Sequence, residues 1–185
     1  MGKGFYSEKR SKFYAFAHHV TDTEQIRELL ADYRCEYHDA RHVCYAYVLG
    51  AERTDFRSND DGEPSGTAGK PILGQINSAQ LSDILIVVVR YYGGVNLGTS
   101  GLIVAYREAA ADAIRNAETV VSQVEEIITY TFAYPLLNSV MRIVKEMNPR
   151  IVAQQFDNTC ELKLAIRKSE ADNLRSRLGK LSFDR

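Results

Sequence analysis

Two polar, glycine-rich segments carry the residue types that can do chemistry. The first, Ser58–Leu73 (SNDDGEPSGTAGKPIL), sets Asp60, Asp61 and Glu63 beside the hydroxyls of Ser65 and Thr67, with Gly62, Pro64, Gly66 and Gly69 among them. Asp-Gly and Pro-Ser-Gly favour tight turns, because Gly takes positive φ without steric cost. Backbone N–H groups around Gly66–Gly69 can then point at an anion, above all if they open a helix. The three carboxylates can instead hold a hard cation or a basic group. An ordered turn whose Asp and Ser side chains satisfy their own backbone has the same composition, and the spacing matches no general catalytic motif.

The second segment is Arg90–Arg107 (RYYGGVNLGTSGLIVAYR). An apolar strand ends in Arg90, Tyr91 and Tyr92, followed by Gly93 and Gly94. A further turn from Gly98 to Gly101 opens a helix whose dipole suits a phosphate. Tyr91 and Tyr92 can stack on bases while Arg90, with Arg107 beyond it, meets phosphate. No Gly-Lys-Ser/Thr follows, so the segment is not a Walker loop, and it is not a dinucleotide fingerprint. The alternative is a capped helix beside a tyrosine-lined core. Weaker candidates are His38, His42 and Cys44. His42 and Cys44 share a strand face and can form a metal or nucleophile pair, but with no third ligand in sight a packed structural pair is expected. Cys35 and Cys160 read as core or idle surface thiols. The Lys and Arg side chains of the second half (Arg142, Lys145, Arg150, Lys163, Arg167, Lys168, Arg175, Arg177) are spread as on a solvated face.

The elements that must position these segments follow from periodicity. Lys12–Val20 reads as a strand, and Thr21 with Glu24 offers a capping box to a helix carrying Ile26, Leu29, Leu30 and Tyr33. Val43–Leu49 is a strand, Ala51–Gly66 a mobile loop and Gly69–Ile76 a short helix. Asp83–Arg90 is apolar on both faces, as a central buried strand requires. The helix after Gly101 buries Leu102, Ala105, Tyr106, Ala109 and Ala113. Together these form helices wrapped around an open sheet.

Composition places a boundary near Thr119, giving domains 1–118 and 119–185. The first carries 13 basic and 16 acidic residues and the second 10 and 8, and all but one of the 12 glycines lie in the first. In the second, Glu126–Tyr134 is a strand and Leu136–Met147 a helix. Arg150–Phe156 and Cys160–Ile166 form a hairpin turning at Asp157-Asn158, and Ser169–Leu178 is a helix capped by Ser169. A short strand at Leu181–Asp184 is expected to close the sheet. The β-α-β-β-α order is that of a ferredoxin-like sandwich, so the fold class is α+β in two domains.

With 185 residues, 45% hydrophobic and 25% charged, the chain has the balance of a globular protein rather than a disordered one. The apolar run Ile84–Val89 is six residues, far short of the roughly 20 a membrane-spanning helix needs, so no membrane contact is expected. A net charge of −1 supplies no general attraction to nucleic acid, and any such contact must come from a local patch. The opening MGKGFYSEKRSKF lacks the apolar core of a secretory signal. Three cysteines without CxxC spacing argue against a disulfide framework or structural zinc. The expected location is the cytoplasm, with no metal or cofactor.

The motifs taken together resemble the IMPACT/YigZ family. The resemblance rests on HDARHVCYAYVLG at 38–50, NDDGEPSGTAGKPIL at 59–73 and VVVRYYGGVNLGTSGLIVAYREA at 87–109, with Ser11-Lys12-Phe13 opening the pattern, and it covers residues 5–117. It implies an N-terminal β-α fold of the ribosomal-protein S-five domain-two-like kind and a C-terminal domain similar to the ferredoxin-like domains of elongation factor G. It also implies translational control: eukaryotic members act under amino-acid starvation through an added N-terminal domain, which is not expected in this chain. The family's signatures fall on Asp60–Gly69 and on Arg90, Tyr91, Tyr92, Gly93, Gly94, Leu97, Gly98 and Gly101. Asn96 stands where the family commonly has lysine, and Ser100 where it has glycine.

The resulting expectation is a regulatory protein that binds RNA, a ribosome or a translation factor in a groove between the two signatures, modulating translation or stress response. A hydrolase or phosphotransferase using Asp61 and Glu63 is one alternative, lacking a nucleophile–base–orienter set, and a protein-interaction module is another. Residue types leave the oligomeric state open.

Overall fold

The computed structural model describes residues 1–157 and 159–183. The chain divides into two compact units, Met1–Val120 and Val121–Arg185. The first contains strands β1 (Gly2–Glu8), β2 (Ser11–His19), β3 (His42–Leu49), β4 (Asp55–Asn59) and β5 (Ile84–Tyr91), with helices α1 (Thr23–Glu36), α2 (Gly69–Ser78) and α3 (Gly98–Arg115). The strands form one antiparallel sheet in the order β1-β2-β5-β3-β4. This is the ribosomal-protein S-five domain-two-like β-α fold.

The unbroken apolar run of β5 has a direct cause. Alternate side chains of a strand point to opposite faces, and both faces here are covered. Ile84, Ile86 and Val88 join the core beneath α2 and α3, whereas Leu85, Val87 and Val89 join the core beneath α1. Leu85 through Val89 have no exposed surface. On the first side α3 lies so close to β1 that a Cβ at Gly4 would collide with the backbone of Ala109 and Ala113.

The structure corrects several local expectations. β1 and β4 are strands that alternation did not mark, and β4 lies inside the stretch 51–66 expected to be a mobile loop. α1 is capped by Asp22, whose carboxylate accepts the Gln25 N–H at 2.9 Å, rather than by a Thr21–Glu24 box. Asp is the stronger acceptor at the first orphan N–H groups.

The second unit contains β6 (Glu125–Ala133), a 3₁₀ turn (Tyr134–Leu136), α4 (Leu137–Met147), β7 (Arg150–Phe156), β8 (Thr159–Arg167) and α5 (Lys168–Phe183). The sheet order β6-β8-β7 is the ferredoxin-like order without its fourth strand among the described residues. The strand expected at 181–184 is not there. Residues 181–183 continue α5, Ser169 lies inside that helix rather than capping it, and Asp184 and the turn residue Asn158 fall outside the described residues. Leu162, Leu164, Val140, Leu174 and Leu178 make the core of this unit. Among the described residues, no helix is long and apolar enough to cross a membrane.

Because the α3–β1 contact leaves no room for a side chain, Gly4→Val forces α3 off the sheet. We expect a loss of about 1–3 kcal/mol, the usual cost of overpacking, read as a lowered urea midpoint with an unchanged m-value.

Candidate functional site

The two signature segments meet inside the first unit. Antiparallel pairing sets His42 opposite Arg90 on adjacent strands. The loop after β4 then folds back over the end of β3. Glu63 from that loop receives Arg90 Nη1 at 2.5 Å and the Tyr106 hydroxyl at 2.8 Å, both on Oε1. His42 Nε2 faces the same oxygen at 3.9 Å. Its Nδ1 lies 2.7 Å from the Asp61 carbonyl; a carbonyl can only accept, so Nδ1 carries the proton. Glu63 and Arg90 are 8% and 6% exposed. The contact between these two side chains is therefore closed to solvent.

Arg90 is held from both sides as well. Its guanidinium carbon sits 5.5 Å from the Phe13 ring centroid and 5.6 Å from that of Tyr92, a cation–π arrangement. Its Nε is buried without a hydrogen-bond partner. Arg90 is thus committed to Glu63 and unavailable to a phosphate in solution.

The other two carboxylates are committed in the same way. Asp60 accepts the N–H groups of Gly66 (2.8 Å), Ala68 (3.0 Å) and Gly69 (2.8 Å). These are the amides expected to cradle an anion, and the anion they hold is Asp60. The clamp also caps α2, whose preceding Ala68 has no capping side chain. Partial burial raises the Asp60 pKa, but the three N–H donors outweigh it and hold the carboxyl below its ordinary value of 3.8. Asp61 takes Arg34 on Oδ1 (2.9 Å) and the Val43 N–H on Oδ2 (2.7 Å). Gly62 and Gly66 have φ of +85° and +77°, the left-handed region that their turns require. Thr67 is buried, with its hydroxyl donating to the Pro64 carbonyl, while Pro64 and Ser65 are exposed.

Cys44 lies 3.0 Å from the Asp60 carbonyl and 3.3 Å from the Tyr106 hydroxyl. Burial pushes its thiol pKa strongly up, the reverse of what a nucleophilic thiolate needs. Burial likewise raises the Tyr106 phenol. Sequence reasoning assigned Tyr106 to the core and missed its polar role. The available signal was a tyrosine on a buried helix face, where the hydroxyl must find a partner.

In the second signature, Tyr92, Gly94, Gly98 and Arg107 are exposed, and Tyr91, Gly93 and Gly101 are partly so. Tyr91 donates to Asp39 at 2.7 Å, and that bond raises its phenol pKa to about 12. Tyr92 donates to Asn96 at 3.2 Å, Gly93 N–H reaches the buried Ser11 hydroxyl, and Arg107 pairs with its neighbour Glu108. Among the described residues, no group of three His, Cys, Asp or Glu side chains is placed to hold a metal.

These features define a two-unit α+β protein whose acidic signature is an internal clamp. The Impact N-terminal domain model matches residues 9–114, and the chain belongs to the IMPACT family. It is 34% identical to an IMPACT family member of Haemophilus influenzae, over 96% of this chain and 87% of that one. It is 32% identical to the IMPACT family member YigZ of Escherichia coli, over 94% and 86%. A crystal structure described as that of a hypothetical protein superposes with a TM-score of 0.72 at 31% identity, covering 98% of this chain and 89% of the other.

The depressed Asp60 pKa has a sign. A carboxyl more acidic in the folded state adds stability above its ordinary pKa, and that contribution disappears as pH falls through the folded value. Stability should therefore fall with pH below about 3.8. Asp60→Asn should remove about 1–3 kcal/mol near neutral pH together with its share of the acid dependence, measured by urea unfolding from neutral to acid. Glu63→Ala, which strands Arg90 as a buried charge, should cost about 3–5 kcal/mol in the same measurement.

Proposed function

We propose that this protein acts by binding rather than by catalysis, as a regulator of translation or stress response whose target is RNA or a ribosomal partner in the cytoplasm. One observation carries the reading: each carboxylate of the signature loop is already engaged by the protein's own groups. Asp61 and Glu63, which an acid–base or metal-assisted reaction would employ, instead hold Arg34, the Val43 amide, Arg90 and Tyr106. Catalysis needs a group free to exchange a proton or bind the reacting atoms, and these groups are spent on fixing a surface. The translational direction follows from the family resemblance and from a fold kind met in proteins that touch RNA, a warrant weaker than a site.

The net charge of −1 makes any RNA contact local, and its affinity modest. Labelled single-stranded RNA should bind with a Kd of micromolar order or weaker, with a log–log salt slope of roughly −0.7 per phosphate contacted. Arg90→Ala should reduce binding only as far as it unfolds the first unit, because its guanidinium is buried. Metal-dependent turnover of a phosphoester, abolished by Asp61→Asn, would overturn this reading in favour of an enzyme.

A further inference from the structure

The sheet of the first unit has one face that α1 covers only in part. Cross-strand pairs place Lys3 opposite Phe16, Phe5 opposite Tyr14 and Ser7 opposite Lys12. The next pairing sets Lys12 opposite Tyr91 and Tyr14 opposite Val89. Directly paired residues share a face, and Phe16 and Val89 belong to the core beneath α1. Lys3, Phe5, Lys12, Tyr14 and Tyr91 therefore all lie on the α1 side; Tyr14 and Tyr91 pack partly against that core, whereas no β1 residue joins it.

Here the aromatic rings run as a ladder over three adjacent strands. The Phe5 and Tyr14 centroids are 5.2 Å apart, and those of Tyr14 and Tyr91 are 6.1 Å apart. Phe5 is 48% exposed, and Tyr14 and Tyr91 are partly exposed. Lys3 and Lys12 flank the ladder, and Lys9 and Arg10 form the hairpin tip joining its strands. None of these four cations makes an ion pair among the described residues. Of the nearby carboxylates, Asp39 accepts the Tyr91 hydroxyl.

The tip is a second, independent observation. Lys9 and Arg10 have φ of +46° and +66°, the double left-handed turn for which Asn-Gly is the favoured pair. Two cationic side chains occupy positions where they work against the fold, and such outliers point to function.

We propose that this face binds single-stranded nucleic acid, with bases stacked on Phe5, Tyr14 and Tyr91 and phosphates met by Lys3, Lys12, Lys9 and Arg10. The combination of a tolerant stacking surface with unpaired cations is what a single strand requires. The proposal rests on the binding reading above and moves the contact from the closed Glu63–Arg90 site to the opposite face of the same sheet, where Tyr91 follows Arg90 along β5.

The test is fluorescence anisotropy of a labelled oligouridine of about a dozen nucleotides, titrated with the full chain at several salt concentrations. Phe5→Ala and Tyr14→Ala should each weaken binding roughly tenfold, whereas Tyr14→Phe, which keeps the ring, should bind normally. Lys3→Gln and Lys12→Gln should each lower the salt slope by about 0.7. Lys9→Asn with Arg10→Gly separates function from folding: it should raise the thermal midpoint while weakening binding. Equal affinity for a thymidine oligomer supports the platform, because stacking does not read the sugar. Wild-type binding that these variants leave unchanged overturns the platform while the RNA reading stands. Absence of wild-type binding at low salt overturns both.

Discussion

A carboxylate taken out of water must find its counter-charge where it is buried, and in this protein Glu63 finds Arg90. Desolvating either ion alone costs several kcal/mol, so the pair holds only if strand, loop and helix arrive together. β5 brings Arg90, the loop after β4 brings Glu63, α3 brings Tyr106 and β3 brings His42. One oxygen thus ties together the loop, β5 and α3, which are remote in sequence, with His42 of β3 3.9 Å away. The order of the central strands, with β5 between β2 and β3, is what makes the meeting possible.

The Asp60 clamp solves a related problem by different means. A loop of turns exposes amides that no ladder satisfies, and a helix start exposes more. A single carboxylate placed among three of them answers both needs and starts α2 without a side-chain cap of its own. The same donors would serve a bound phosphate in another protein. Here their occupant is part of the chain.

With Glu63 buried against Arg90 and the guanidinium held between Phe13 and Tyr92, these two signature side chains serve the packing of the first unit. The outward-facing resources of the first unit are aromatic rings and unpaired cations on a sheet that α1 leaves partly bare.

Much of the frame is legible in the order of residues along the chain. The unbroken run Ile84–Val89 required a strand covered on both faces, and Leu102, Ala105, Tyr106 and Ala109 required a helix against a core; such patterns are local and set by periodicity. The element order of the second unit was legible for the same reason, apart from the closing strand, since residues 181–183 extend α5. The rest depends on how the elements assemble. β1 and β4 are short of apolar alternation and exist because a neighbouring strand offers them hydrogen bonds. No spacing could say whether Asp60 would face an ion or its own loop, because φ of Asp61, Gly62 and Gly66 decides it. The buried pairing of Glu63 with Arg90, 27 residues apart, depends on strand register, a property of the assembled sheet. Lys3, Phe5 and Tyr91 share a face by that same register, through contacts that exist only once the strands have paired.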